Sequence, residues 1–477
     1  MAAKLSRHNS TDGLWKWRGS PHASGSTTWD TLFGTNCGKN YSAETREKAR
    51  LISRMNPGQS NQTNLPKTQA SPTATSAQRT WITPTVAGII AATFFSDVSH
   101  EMATAVLPLY LATVGLGPAA LGITEGVADL LFSLSKLAGG VVGHHVQKKR
   151  LWASAGYLLT AISTAGMGLT NRLGTLASLR GSAWLGRGFR SPLRDYMLAD
   201  AVEPTHFGRA YGLERAGDML GAVVGPLFAT LLVWAGLPFS SIIGWTILPG
   251  ILSAGCMFFL TRDRQGPMTE NRLTTEPKQS RLPRTFWIFL VGVSLFGIGD
   301  FSRTFLIWLV VKALGGTSSH GSTVSIAVLL YAIHNLVSAA AAYPIGRLGD
   351  RTLKIGLLAA GYCVGVGTNI VLAFVGSSLR WLVVVIVLSG VYIATEETLE
   401  KAVVAELLPR ELRSLGFGVL AFANALGDMA ASLYVGFLLQ CSQAHRAFTI
   451  AAVVGTAGSA SLLFLSRRIR RTTPVEH

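Results

Sequence analysis

Apolar runs of about 20 residues fill the chain from Trp81 onwards and alternate with short polar or Gly- and Pro-containing breaks. A helix needs about 20 residues to cross roughly 30 Å of hydrocarbon. The pattern therefore predicts an all-α membrane protein with twelve membrane-spanning helices. The predicted spans are 84–112, 118–142, 151–170, 174–200, 208–234, 240–261, 285–313, 322–346, 353–375, 380–406, 412–439 and 446–466.

The composition agrees with a protein that lies mostly in a bilayer. Of its 477 residues, 49% are hydrophobic and only 14% are charged, whereas about a quarter of a soluble domain is charged. The four cysteines are scattered and the histidines do not cluster, so we expect no metal site and no cofactor. The chain shows no nucleotide-binding loop or nucleophile motif, which argues against an enzyme.

The net charge of +17 comes from basic residues in the loops and tails. Basic stretches follow the second span (148–150), occupy the central loop and end the chain (467–471), all on one side of a twelve-span count. Cytoplasmic loops of membrane proteins carry such an excess. We therefore expect a multi-pass protein of the cell or plasma membrane with both termini in the cytoplasm, and no nucleic-acid partner.

Residues 1–80 carry eleven Lys and Arg against four acids and are rich in Ser, Thr and Asn. This composition predicts a disordered basic cytoplasmic tail, and a transit peptide or an upstream start site is the alternative. The remaining predicted units are an N-terminal six-helix bundle (81–261), a cytoplasmic central loop (262–284), a C-terminal six-helix bundle (285–466) and a cytoplasmic tail (467–477).

The two halves of the chain repeat each other. Asp97 and Asp300 both interrupt apolar spans and lie 203 positions apart. Four further pairs share an offset of 206: Gly143 and Gly349, Gly212 and Gly418, Gly221 and Gly427, and Asp200 and Glu406. Six spans per half is an even number, so the halves have the same orientation and the repeat is a parallel duplication.

The connection after the second span of the second half reads Gly346-Arg347-Leu348-Gly349-Asp350-Arg351. It resembles the loop motif of the major facilitator superfamily (MFS), and the likeness extends over 84–466. In the first half His144 occupies the place of the usual acid. The resemblance implies the MFS fold, a monomer in the lipid bilayer, and secondary transport of a small molecule or ion by alternating access.

Charged residues near the ends of the spans are candidates for gating. An acid in this loop can accept hydrogen bonds from a neighbouring helix N-terminus and pair with an arginine, so Asp350 and Arg351 are the predicted latch, with Gly346 and Gly349 beside them. A solvated turn is the alternative. Glu406 and Arg413 resemble the acid-x6-Arg relay of sugar porters, and Asp200 is the counterpart of Glu406.

The fifth span contains Gly217, Gly221, Gly225 and Pro226 in a pattern similar to the antiporter motif of drug and proton exchangers. Small residues allow close helix packing and proline bends a helix. The resemblance favours efflux.

Acids and arginines inside the spans suggest a proton-coupling site, because ionised groups in hydrocarbon are costly without a function or a partner. The hypothesis is a buried network in the first half, with fixed structural ion pairs as the alternative. Its members are Asp97, Glu101, Glu125, Asp129, Arg187 and Arg190. In the second half, Asp300 and Arg303 are the sparser counterparts and candidate cavity residues.

The leading functional prediction is proton-coupled efflux by antiport. Proton-coupled uptake by symport is the runner-up, and a non-transporting receptor with the same fold is the third possibility. Arginines suit an anionic substrate and acids suit a cation, so the sequence leaves the substrate class open.

Overall fold

The computed structural model describes residues 81–116, 118–263, 281–301, 305–306, 309–310, 321–374 and 378–472. The predicted tail 1–80, most of the central loop and Arg303 lie outside these ranges, as do the side chains of Glu125 and Asp129.

Each of the twelve predicted spans contains at least one helix in the described part of the chain. In the first half the helices are α1 (Pro84–Thr113), α2 (Pro118–His145), α3 (Lys149–Gly166), α4 (Leu173–Ala201), α5 (Phe207–Trp234), α6 (Phe239–Trp245) and α7 (Ile247–Gly255), which a π-helical turn (Cys256–Leu260) continues. In the second half they are α8 (Arg284–Gly297), α9 (Gly321–Arg351), α10 (Lys354–Phe374), α11 (Leu379–Leu407), α12 (Arg413–Gln440) and α13 (Ala444–Thr472).

Six of the described helical segments are long and apolar enough to cross a membrane by length and composition alone. They are Pro204–Trp234, Phe239–Leu260, Lys354–Phe374, Arg380–Leu407, Arg410–Gln440 and Ala444–Arg468.

Helix packing reproduces the duplication. In the first bundle α1 packs on α5 and α7, α4 on α2 and α3, and α3 on α7. In the second bundle α8 packs on α12 and α13, α11 on α9 and α10, and α10 on α13, which are the equivalent pairs. The bundles meet through α5 with α9 and α2 with α12, again an equivalent pair. The predicted class, an all-α protein of two six-helix bundles related by parallel duplication, is confirmed.

The seventh predicted span, 285–313, is wrong as a continuous helix. Helix α8 ends at Gly297, and Asp300 lies in non-helical backbone. Glycine disfavours helix, and a Cβ on Gly299 would lie 2.6 Å from the carbonyl oxygen of Ala451. Irregular backbone at membrane depth needs internal hydrogen-bond partners.

Two side chains supply partners at this break. The hydroxyl of Tyr434 donates to the carbonyl oxygen of Ile298 (3.1 Å), and the amide of Asn369 donates to that of Gly299 (3.1 Å). The two matched acids of the repeat therefore differ in backbone conformation. Asp97 lies within the continuous helix α1, whereas Asp300 lies in non-helical backbone.

Two other boundaries differ from the prediction. Helix α9 continues from the predicted end at 346 to Arg351, and α13 continues from 466 to Thr472, through part of the predicted tail.

Candidate functional site

A cavity of about 350 Å³ lies between the two bundles. Helices α1, α2, α4, α5, α9, α11 and α12 line it, together with the break after α8. Its described lining carries nine carboxylates and six lysine or arginine side chains. The acids are Asp97, Glu101, Asp195, Asp218, Asp300, Glu396, Glu397, Glu400 and Asp428, and the bases are Lys136, Arg187, Arg190, Arg194, Arg215 and Lys401.

On the first bundle's wall, Asp97 pairs with Arg187. A guanidinium nitrogen of Arg187 lies 2.5 Å from Asp97 Oδ1, and only 3% of the Asp97 side chain is exposed. The carboxyl group of Asp218 lies beside that of Asp97 on the same wall of the cavity. Asp218 also pairs with Arg215 at 2.7 Å. Two adjacent carboxyl groups are thus flanked by two arginines.

The glycines of the antiporter-like motif position these two acids. A Cβ on Gly221 would lie 2.6 Å from the carbonyl oxygen of Phe94 and 2.9 Å from the Cβ of Asp97, and a Cβ on Gly225 would lie 3.0 Å from that of Glu101. Gly217 is also close to α1, and Pro226 lies inside α5. Helices α1 and α5 therefore approach closely at the depth of Asp97.

The other predicted members of the network have different surroundings. Arg190 is 2% exposed, donates to Ser96 Oγ (2.5 Å) and lies 3.5 Å from the ring centre of Tyr157, so its described contacts are a hydroxyl and an aromatic ring. Glu101 lines the cavity. Glu125 and Asp129 lie on α2, and their side chains are outside the description.

A network of ion pairs beside the cavity joins the two bundles. Its centre, Glu214 of α5, was not among the site residues predicted from the sequence. Glu214, with 1% of its side chain exposed, lies 3.0 Å from a guanidinium nitrogen of Arg194 and 3.4 Å from Lys401 Nζ of the other bundle. Arg194 also pairs with Asp195 at 2.9 Å. An acid inside the predicted span 208–234 was the available signal.

A second ion pair crosses the same interface with reversed charges. Arg215 of α5 lies 3.8 Å from Glu397 of α11. Each of these residues also has a partner in its own bundle: Arg215 has Asp218, and Glu397 has Lys401 at 3.9 Å.

The second bundle contributes an acidic wall, which we define as Asp300, Glu396, Glu397, Glu400 and Asp428. Tyr392 donates its hydroxyl to Asp300 (2.7 Å), while Glu400 accepts from the Tyr362 hydroxyl and from Asn424 (2.6 Å). Glu396 is 8% exposed and lines the cavity. No side chain in the described part of the chain forms a hydrogen bond or ion pair with Glu396.

At the end of the bundles where α2, α4, α9 and α11 end, called the basic end below, Asp350 joins the two halves. Its carboxylate accepts hydrogen bonds from the backbone N–H groups of Gly208 (2.7 Å) and Arg209 (3.1 Å) at the start of α5. It also lies 3.1 Å from Arg209 Nε and is fully buried. The predicted latch geometry is present with Arg209 as the partner, and Arg351 is exposed at the end of α9.

Glycines allow the two backbones to meet beside this latch. A Cβ on Gly346 would lie 2.0 Å from the carbonyl oxygen of Gly208 in the other bundle. Gly349 instead faces its own bundle, where a Cβ would lie 2.6 Å from the Leu399 side chain. At the position equivalent to Asp350, His144 Nδ1 lies 2.8 Å from the carbonyl oxygen of Glu411, so this histidine also bridges the bundles.

The remaining gating candidates have other partners than the sequence suggested. Asp200 pairs across the bundles with Arg410 at 2.5 Å, beside a cavity of about 520 Å³ that lies at the basic end. Glu406 pairs with Lys354 at 3.0 Å. Arg413 donates to the carbonyl oxygen of Leu408 (3.2 Å) and packs over the Phe207 ring.

Comparisons with known proteins agree with this architecture. The family model described as Major Facilitator Superfamily matches residues 89–351 and 305–476. An uncharacterized MFS-type transporter of Methanocaldococcus jannaschii is 24% identical over 373 residues, which are 78% of this chain and 92% of the relative.

Two solved structures share the fold at low sequence identity. A bacterial homologue of the iron transporter ferroportin, in an outward-facing state, has a TM-score of 0.65 and 14% identity, covering 80% of this chain and 99% of that one. The human organic anion transporter MFSD10 has a TM-score of 0.63 and 15% identity, with the same coverage. From the family match over most of its length and the two-bundle fold around a central cavity, this chain belongs to the Major Facilitator Superfamily and is an integral, multi-pass membrane transporter.

Proposed function

We propose that this chain exports a small solute in exchange for protons, and that Asp97 carries the proton. The proposal rests on the surroundings of Asp97: a buried carboxylate beside the cavity that pairs with Arg187 and has the carboxyl group of Asp218 next to it. An arginine favours the ionised carboxylate, and a second carboxyl group favours a proton between the two. These opposed effects suit a group that changes protonation during a cycle.

The close packing of α1 on α5 supports a coupled exchanger. Because Gly221 brings the two backbones together, Asp97 on one helix and Asp218 on the other respond to the same movement. The packing also leaves no room for a side chain between the helices at this depth, which suits a protein that must not leak protons.

The contacts at the basic end, which we take as cytoplasmic from the positions of the basic loops, support a mechanism of alternating access. In the described conformation Asp350 and the Lys401–Glu214 pair hold this end closed. Protonation of Asp97 removes its attraction to Arg187, and the arginine then has Asp218 and Glu101 as its acidic neighbours. Rearrangement at this site shifts the balance between the two orientations of the bundles.

A substrate-independent experiment tests the proton site. Spin labels at exposed Thr205 and Thr352, on opposite bundles at the basic end, report its opening as a distance distribution. We expect the distribution of the reconstituted protein to change between pH 8 and pH 5, and Asp97→Asn to abolish this dependence. A pH response that survives in Asp97→Asn would rule out Asp97 as the coupled group.

The direction of transport is tested by a transport measurement in cells. Export predicts that cells with the wild-type protein accumulate less of a transported compound than cells with Asp97→Asn. Higher accumulation would indicate uptake by symport. Absence of any difference across a broad panel of compounds would favour the non-transporting receptor.

A further inference from the structure

The two walls of the cavity differ in charge. Among the described lining residues, the first bundle contributes four acids and five lysine or arginine side chains, whereas the second contributes five acids and one lysine, Lys401. Lys401 extends towards Glu214 and Asp195 of the first bundle, at 3.4 and 4.0 Å. Lys401 therefore interacts with acids of the first bundle as well as with the acidic wall of its own bundle.

Two acids of this wall, Glu396 and Glu400, occupy one face of α11 because they are four residues apart. Glu400 is 2% exposed, and it accepts hydrogen bonds from the neutral donors Tyr362 and Asn424. Neutral donors orient a carboxylate but do not cancel its charge. Glu396 has no hydrogen-bond or ion-pair partner in the described part of the chain, although burying a charge without a partner is costly.

The broken helix beside these acids adds further negative potential. Helix α8 ends at Gly297, and the C-terminal end of a helix carries partial negative charge on its carbonyl groups. Asp300 lies three residues beyond that end and faces the cavity. Tyr392 ties Asp300 to α11, one turn before Glu396. In transporters, such helix ends contribute carbonyl groups to cation sites at the midplane.

The size and remaining lining of the cavity indicate what kind of cation fits. A volume of about 350 Å³ is within the range that holds small organic molecules. The rings of Trp184 and Tyr331 also line the cavity, and aromatic faces attract organic cations. In the described ranges, no group of three or more His, Cys, Asp or Glu side chains is arranged to hold a metal ion.

We propose that the substrate is a monovalent organic cation, such as a protonated amine or a quaternary ammonium or phosphonium compound, and that Glu396 is the carboxylate that binds it. This inference rests on the proposed function but places the two tasks on opposite walls: protons bind at Asp97 in the first bundle, and the cation binds at Glu396 in the second. Exchange then requires no shared carboxylate, because movement of the bundles links the two sites.

The test uses two ions of nearly equal size and shape but opposite charge, tetraphenylphosphonium and tetraphenylborate, with the purified full-length protein. We expect saturable binding of radiolabelled tetraphenylphosphonium and, in a separate assay, no saturable binding of radiolabelled tetraphenylborate. Glu396→Gln should weaken binding at least tenfold, and Glu396→Asp, which keeps the charge, should weaken it less. Glu203→Gln makes the same chemical change at an exposed site outside the central cavity and should bind like the wild type.

Wild-type binding of tetraphenylborate, or no binding of tetraphenylphosphonium, would overturn the proposal, and this comparison stands even if Glu396→Gln does not fold. Undiminished binding by a folded Glu396→Gln protein would also overturn it.

The experiments distinguish an error in the proposed proton site from an error in the proposed cation site. If Asp97 is not coupled, Asp97→Asn keeps the pH response of the spin labels while Glu396→Gln still loses binding. If Glu396 is not the cation site, the pH response is lost in Asp97→Asn while Glu396→Gln binds normally.

Discussion

Replacing Asp350 by asparagine should open the basic end without unfolding either bundle. The carboxylate accepts two backbone hydrogen bonds from the start of α5, from Gly208 and Arg209, and pairs with the Arg209 side chain. A hydrogen bond to a charged group contributes about 1.5–3 kcal/mol, and a neutral one about 0.5–1.5 kcal/mol. Asparagine offers a single neutral acceptor in place of this arrangement.

Two charged bonds replaced by one neutral bond should cost the closed state at least about 1.5 kcal/mol relative to the open state, in which water solvates both partners. Since 1.4 kcal/mol changes a ratio tenfold, the ratio of open to closed molecules should rise at least about tenfold. The folded bundles should persist, because the lost bonds connect one bundle to the other.

The spin-label pair at Thr205 and Thr352 measures this ratio in a protein whose native cysteines have been replaced. Asp263→Asn is the matched control: Asp263 follows the last turn of the first bundle and accepts a backbone hydrogen bond from Arg150 at the start of α3 (3.0 Å), a bond that does not cross to the second bundle. An unchanged distance distribution in Asp350→Asn, or an equal change in Asp263→Asn, would refute the latch.

Three further changes test the packing and charges around the cavity. Gly221→Ala should lower the free energy of unfolding by about 1–3 kcal/mol, because the added methyl group overpacks α1 against α5. Thermal unfolding measures the effect, and Gly367→Ala is the control because its added Cβ meets nothing within 4 Å. Equal melting temperatures of the two variants would contradict the close approach of α1 and α5. Glu214→Gln should destabilise the closed state by about 1.5–3 kcal/mol, because Lys401 loses a charged partner while Asp195 and Glu397 remain near it. Labels that report no opening would show that the crossing pair is dispensable. Asn369→Ala should cost about 1–3 kcal/mol by freeing a buried carbonyl group at the break after α8, and an unchanged melting temperature would mean that water replaces the amide.

Local sequence was sufficient to predict the helices and their duplication. Span length and apolar content depend on the bilayer, so most helix ends fall within a few residues of the predicted ones. The break after α8 was missed because Gly297 and Gly299 lie in an apolar run, and hydropathy does not distinguish a helix from irregular backbone that other side chains satisfy. Tyr434 and Asn369, which satisfy it, are more than 60 residues away in sequence.

The functional site likewise combines features that are visible in the sequence with features that depend on the tertiary structure. Hydropathy along the chain identifies which residues are out of place in an apolar span, and the loop motif around Asp350 identified a residue that joins the bundles. Partners were determined only by the tertiary structure, because pairing depends on the rotation of each helix and on which helices are neighbours. Asp97 therefore meets Arg187 and Asp218, Lys401 meets Glu214 across the interface, and Glu396 is left facing the cavity.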